Sequence, residues 1–181
     1  GRRWFELSVA PMADMNHAVP HFIFISRDVT ERHSAEEKLQ LASRVFSHAR
    51  EGIVIMDATG TILDVNDSFT RITGYLPKEA IGHKPHILRS GQQGPEFYAE
   101  LWRKLTTQGH WSGELWNRHK NGTQYALSTT ISSVRDQGGQ VLQYVGLFFD
   151  ITSHKTHQHQ LEHFAHFDAL TDLPNRVLLA D

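Results

Sequence analysis

Cysteine is absent from the 181-residue sequence. That excludes disulfides, thiolate metal sites, a cysteine nucleophile and any photochemistry that proceeds through a cysteinyl adduct. Long apolar runs are missing as well. Runs such as Gly52 to Met56 and Phe22 to Ile25 fall far short of the roughly 18 residues that span a bilayer. No secretory leader is visible. An excess of charge is also lacking: 18 Lys and Arg against 20 Asp and Glu leave a formal net charge of -2. Such a balance argues against a general nucleic-acid binder, which carries a basic face. Histidine, by contrast, is abundant. Its 13 copies let the net charge change sign just below neutrality, because imidazole titrates near ~6.5.

An internal echo organises the rest. Residues 22–32 read FIFISRDVTER and residues 145–154 read VGLFFDITSH. Each is an apolar strand, then Asp-x-Thr, then a polar helical stretch, and the copies stand about one domain length apart. This predicts the closing strands of one domain over residues 1–32, a connecting helix over 33–49, a complete domain over 50–152 and a second helix over 153–167. Ser34-x-x-Glu37 reads as a capping box opening the first helix. Leu39, Ala42, Phe46 and Ala49 then follow an a/d spacing, which suits a two-helix seam or packing on the helix's own domain. The sequence reads as a piece of a longer protein.

The complete domain opens with two strands, near 52–57 and 61–66. Short helical segments follow, then a helix over 95–106 with Phe97, Tyr98, Leu101, Trp102 and Leu105 on one stripe. Strands over 111–119, 123–135 and 140–151 close it, joined at Asn121-Gly122 and Gly138-Gly139. The pattern predicts an α+β domain: a five-stranded antiparallel sheet with short helices on one face, flanked by linker helices.

The residues Asn66-Asp67-Ser68-Phe69 and Thr73-Gly74-Tyr75, with the closing Asp150-Ile151-Thr152, resemble the PAS family over about 48–154. Residues 1–32 resemble the end of a second PAS domain. In that family the Asp and Thr of the closing motif couple the last strand to a signalling helix, so the resemblance implies a relay at Asp150 and Thr152. Residues 168–176, Asp168-Ala169-Leu170-Thr171-Asp172-Leu173-Pro174-Asn175-Arg176, resemble the opening of GGDEF domains, the diguanylate cyclases. The rest of that domain, including its signature and metal-binding carboxylates, is missing from this chain. The resemblance implies no catalysis by this piece, and a parent that makes cyclic di-GMP, degrades it or carries a degenerate version.

The run Trp111-Ser112-Gly113-Glu114-Leu115-Trp116-Asn117-Arg118 through Gly122 resembles flavin-binding redox PAS domains of aerotaxis receptors and nitrogen-fixation regulators. This implies FAD. On an alternating strand Trp111, Gly113, Leu115 and Asn117 share one face. Trp111 would pack on a ring, Gly113 would make room for it, and the Asn117 amide would meet the pyrimidine edge. Arg89 suits a phosphate or the pocket mouth, Trp102 fits the same subgroup, and Asn66 would point inward from a strand end. Ordinary core packing explains Trp111 and Leu115 equally, and an unknown or absent ligand remains the alternative. Haem is another: His83 and His86 are its available ligands. Blue-light PAS sensors carry a cysteine three residues after the position of Gly82, where this chain has Pro85.

The expected partners are a second copy of the chain, through the linker helices, and the chain's own C-terminal domain. The expected location is the cytoplasm, with no membrane contact by this piece and any anchor lying upstream. His154, His157, His159, His163 and His166 read as a solvated helical face, with a zinc pair or a pH-responsive linker as alternatives and no metal site expected.

Overall fold

The structure is a computed structural model that describes residues 2–12 and 21–166. It divides into two units between Phe46 and Ser47. In the first unit, β1 (Phe5–Met12) pairs antiparallel with β2 (His21–Asp28), and α1 (Thr30–His48) follows. The expected capping box does not open α1. Its first turn forms earlier, because the Asp28 carboxylate accepts from the Thr30 amide at 2.9 Å. Ser34 therefore lies inside the helix. Glu36 and Glu37 instead pair one turn back, with Arg32 at 3.0 Å and His33 at 3.5 Å.

The second unit contains β3 (Gly52–Asp57), β4 (Ile62–Val65), α2 (Asp67–Thr73), α3 (Pro77–Ala80), a 3-10 turn (Pro85–Leu88), α4 (Pro95–Gln108), β5 (His110–Arg118), β6 (Gln124–Arg135), β7 (Val141–Asp150) and α5 (Thr152–His166). Its sheet has the order β4-β3-β7-β6-β5 and is antiparallel throughout. The Asn121-Gly122 signal does make the β5–β6 turn, with Gly122 at φ 94°.

Alternation decides the two faces of the sheet. Val54, Met56, Leu115, Leu127, Tyr144 and Phe148 point inward, where Phe69, Leu88, Leu101 and Leu105 of the helical layer cover them. The apolar stripe of α4 is thus a core contact, and Leu105 is fully buried. Burying each such side chain stabilises the fold by about 1.5–3 kcal/mol.

The sequence echo is a structural repeat. Phe5 pairs with Asp28 as Leu127 pairs with Asp150, and Val9 pairs with Phe24 as Ile131 pairs with Gly146. The strand-to-helix junctions use the same bonds. The Thr30 amide donates to Asp28 and the Thr152 amide to Asp150. The Thr30 and Thr152 hydroxyls accept from the amides of Trp4 and Ala126. Val29 and Ile151 donate back to the carbonyls of those same residues, each at 2.9 Å.

Candidate ligand-binding site

A cavity of about 620 Å³ lies between the inner sheet face and the helical layer. Val54 and Met56 of β3, Leu88 of the 3-10 turn, Leu101 of α4, Leu127 of β6 and Phe148 of β7 form its apolar walls. Gly146 keeps the sheet floor open. A Cβ there would stand 2.8 Å from Val54 Cγ1, closer than carbon atoms pack.

The polar contribution is small and specific. Asn117 lines the cavity near the end of β5. Thr129, on β6, aims a buried hydroxyl at it that has no hydrogen-bond partner among the described residues. The buried Tyr98 hydroxyl of α4 is likewise unpaired. The Arg89 guanidinium lies 3.8 Å from the centre of the Tyr98 ring, a cation–π contact. Burial raises the Tyr98 phenol above its ordinary pKa, and Arg89 opposes that shift. Arg89 also bridges to Asn117 through the backbone, while the Arg118 guanidinium donates to the Ser90 carbonyl. The segment after the 3-10 turn is thereby tied along the outer edge of β5.

Of the residues singled out from the sequence, Arg89, Trp102, Leu115 and Asn117 come together around the cavity. Asn66, Trp111 and Gly113 do not line it. Asn66 is buried as a structural cap: its Oδ1 accepts from the amides of Ile53 and Phe69, and its Nδ2 donates to the Glu51 carbonyl. Trp111 packs edge-on against Phe97 with centroids 5.8 Å apart. Its indole fills the space a side chain at residue 113 would need, since a Cβ there would lie 2.8 Å from Trp111 Cζ2. Gly113 thus makes room for a tryptophan of its own strand. His86 stands exposed on the rim, and His83 is not part of the lining.

Thr129 and Gly146 were missed, although both left signals. Thr129 is a polar residue between Leu127 and Ile131 on a buried face, and Gly146 interrupts an apolar strand, which marks close approach.

At the far end of β7, the Asp150 and Thr152 bonds clamp α5 to β6. The Lys155 ammonium pairs with Glu114 of β5 at 2.6 Å, so the first turn of α5 touches β5 as well as β6. Residues 168–176 lie outside the described residues, as do the side chains of His159, His163 and His166. Among the described residues, no cluster of three His, Asp or Glu could hold a metal ion, and no helix is long and apolar enough to cross a membrane.

An antiparallel sheet of this order, roofed by short helices, is the architecture of a sensory domain. The chain belongs to the PAS domain family, whose model matches residues 1–31 and 50–153. It is 28% identical over 169 residues to a nitrogen fixation regulatory protein of Klebsiella oxytoca, covering 92% of this chain and 33% of the relative. It is 30% identical to a blue-light photoreceptor of Listeria innocua, covering 71% of this chain and 52% of that one. The chain therefore spans about a third to a half of the length of these relatives. The solved PAS domain of a protein from Colwellia psychrerythraea superposes with a TM-score of 0.60 at 25% identity, over 64% of this chain and 98% of that one. An RNA-binding Light-Oxygen-Voltage receptor gives a TM-score of 0.64 over 91% of this chain and 44% of that one; at 20% identity it speaks for the fold alone.

Proposed function

We propose that this PAS domain is a redox sensor that binds FAD and signals through α5 to a C-terminal cyclic di-GMP domain. The cavity carries this reading. It offers apolar walls, an amide able to donate and to accept, and buried hydroxyls of Thr129 and Tyr98 that lack partners. Those features fit a flat ring with a polar edge. Asn117 and Thr129 would hold that edge, while Leu115, Leu127 and Phe148 would exclude water from the faces. A flavin supplies an edge whose hydrogen-bonding character changes with its oxidation state. Asn117 is equipped to follow by turning its amide. With no cysteine in the chain, an adduct cannot form, which favours redox over light as the stimulus.

The motif at residues 168–176 supports a cyclic di-GMP domain downstream, and the repeated junction at Asp28 and Thr30 supports a PAS domain upstream. The α1 helix buries none of its residues, and Leu39 is 72% exposed. A second copy of the chain is the partner that its apolar stripe suits, so Phe46→Glu should shift the protein toward monomer in sedimentation. The cofactor is tested directly. Heat-denatured protein should release FAD in near-stoichiometric amount, and Asn117→Ala should weaken its retention. Folded protein that stays colourless after incubation with FAD refutes the reading.

A further inference from the structure

The two strand-to-helix junctions share the three backbone-amide bonds of their cap, yet they differ at the residue just before the anchoring amide. In the first unit Arg3 precedes Trp4, and it is exposed. In the second unit Tyr125 precedes Ala126, and it is 5% exposed. A buried tyrosine is therefore not needed to build the cap.

Tyr125 is instead joined to both ends of the proposed signal route. It pairs with Asn117 across β5 and β6, so the two side chains stand next to each other on the inner face. Its own chain neighbour, Ala126, holds α5: the Ala126 amide donates to Thr152 Oγ1 at 3.0 Å, and the Ala126 carbonyl accepts from Ile151 at 2.9 Å. The Tyr125 hydroxyl is buried and makes no hydrogen bond of ordinary geometry. Burial pushes this phenol far above its usual pKa, the Asn117 amide opposes that, and the charge of Asp150 adds to it. The group is thus a neutral donor at physiological pH, set between the cavity amide and the Asp150 cap. A buried donor without an acceptor is costly, so an arrangement that supplies one is favoured.

We propose that the Tyr125 hydroxyl is the positioning group through which Asn117 acts on the first turn of α5. When the Asn117 amide presents its oxygen, Tyr125 gains an acceptor and is drawn toward β5. When it presents its nitrogen, the phenol oxygen can only accept, its own proton is left without that acceptor, and the ring is held differently. Ala126 follows in either case, and with it the cap of α5. This rests on Asn117 as the ligand contact, but it can be tested without ligand.

The test is amide hydrogen exchange over residues 152–158 in the wild type, Asn117→Ala, Tyr125→Phe and the double variant. In the wild-type background Asn117→Ala should change α5 exchange by about twofold or more, the low end of coupling between contacting residues. In the Tyr125→Phe background the same substitution should change nothing. Thermal midpoints should not follow the exchange rates, because Tyr125→Phe removes only an unpaired hydroxyl and leaves the packing. The tyrosine hydrogen-bond marker in ultraviolet resonance Raman, isolated as wild type minus Tyr125→Phe, should shift on Asn117→Ala. An equal Asn117→Ala effect in both backgrounds overturns the proposal, and so does no effect on α5 in the wild type. A colourless preparation overturns the flavin reading alone, since the exchange comparison needs no ligand.

Discussion

Gly146 is the residue whose substitution should report most directly on the cavity. Its backbone is extended rather than left-handed, so alanine meets no conformational barrier there. The obstacle is space: the added Cβ would lie 2.8 Å from Val54 Cγ1, with Ile131 Cγ1 at 3.9 Å on another side. Carbon atoms prefer about 3.5–4.0 Å, so Val54 or the strand must yield by roughly an ångström. Overpacking of that size costs about 1–3 kcal/mol. Replacing a glycine recovers about 0.4–1 kcal/mol by restricting the unfolded chain. The net loss expected for Gly146→Ala is therefore about 0.5–2 kcal/mol, or several degrees in thermal midpoint for a domain of ~100 residues. Val54 and Gly146 both line the cavity, so relief comes partly at the expense of ligand space. Thermal scans with and without FAD would separate the two effects. The alanine variant should melt earlier and gain less from added ligand, and Gly146→Leu should gain nothing. An alanine variant as stable as wild type that retains ligand equally well would refute the reasoning, by showing that the gap beside Val54 is soft.

Gly113→Ala should disturb Trp111 without touching the cavity, so tryptophan fluorescence should change while ligand retention does not. Asp150→Ala removes the acceptor for the Thr152 amide and should cost about 1 kcal/mol, seen as faster amide exchange in the first turn of α5. The Glu79 carboxyl is held below its usual pKa by the Lys120 ammonium and then by the Leu76 amide. Its contribution is present above the ordinary carboxylate pKa and lost as pH falls through the lowered one. Glu79→Gln should therefore lower the thermal midpoint near neutrality, and the difference from wild type should shrink as pH falls below the ordinary carboxylate range.

Most of the fold was legible because its signals are local. Strand alternation, the Asn121-Gly122 turn and the stripe on α4 each depend on residues a few positions apart, and the structure places all three within a residue or two of expectation. The start of α1 was not legible in the same way. Ser34 and Glu37 form a sound capping pattern, but Asp28 offers an earlier acceptor, and the helix begins at the first site that satisfies its amides.

The site was legible only by face. Alternation puts Trp111, Gly113, Leu115 and Asn117 on one side of β5, and all four do point inward. It says nothing about how far along the strand the cavity extends. Thr129 stands opposite Gly113, and Gly146 lies in line with Ile131 and Trp111, yet of β5 only Leu115 and Asn117 border the cavity, because the Trp111 indole packs on Phe97 and fills the space beside Gly113. The repeat shows why the motif led elsewhere. Asp-x-Thr recurs because each junction needs the same cap, so the echo marks scaffold. The inner faces of the two copies differ: Leu7 stands in the place of Thr129, and Phe24 in the place of Gly146. A repeated motif reports what both copies must build. The residues that open space for a ligand are the ones that fail to repeat.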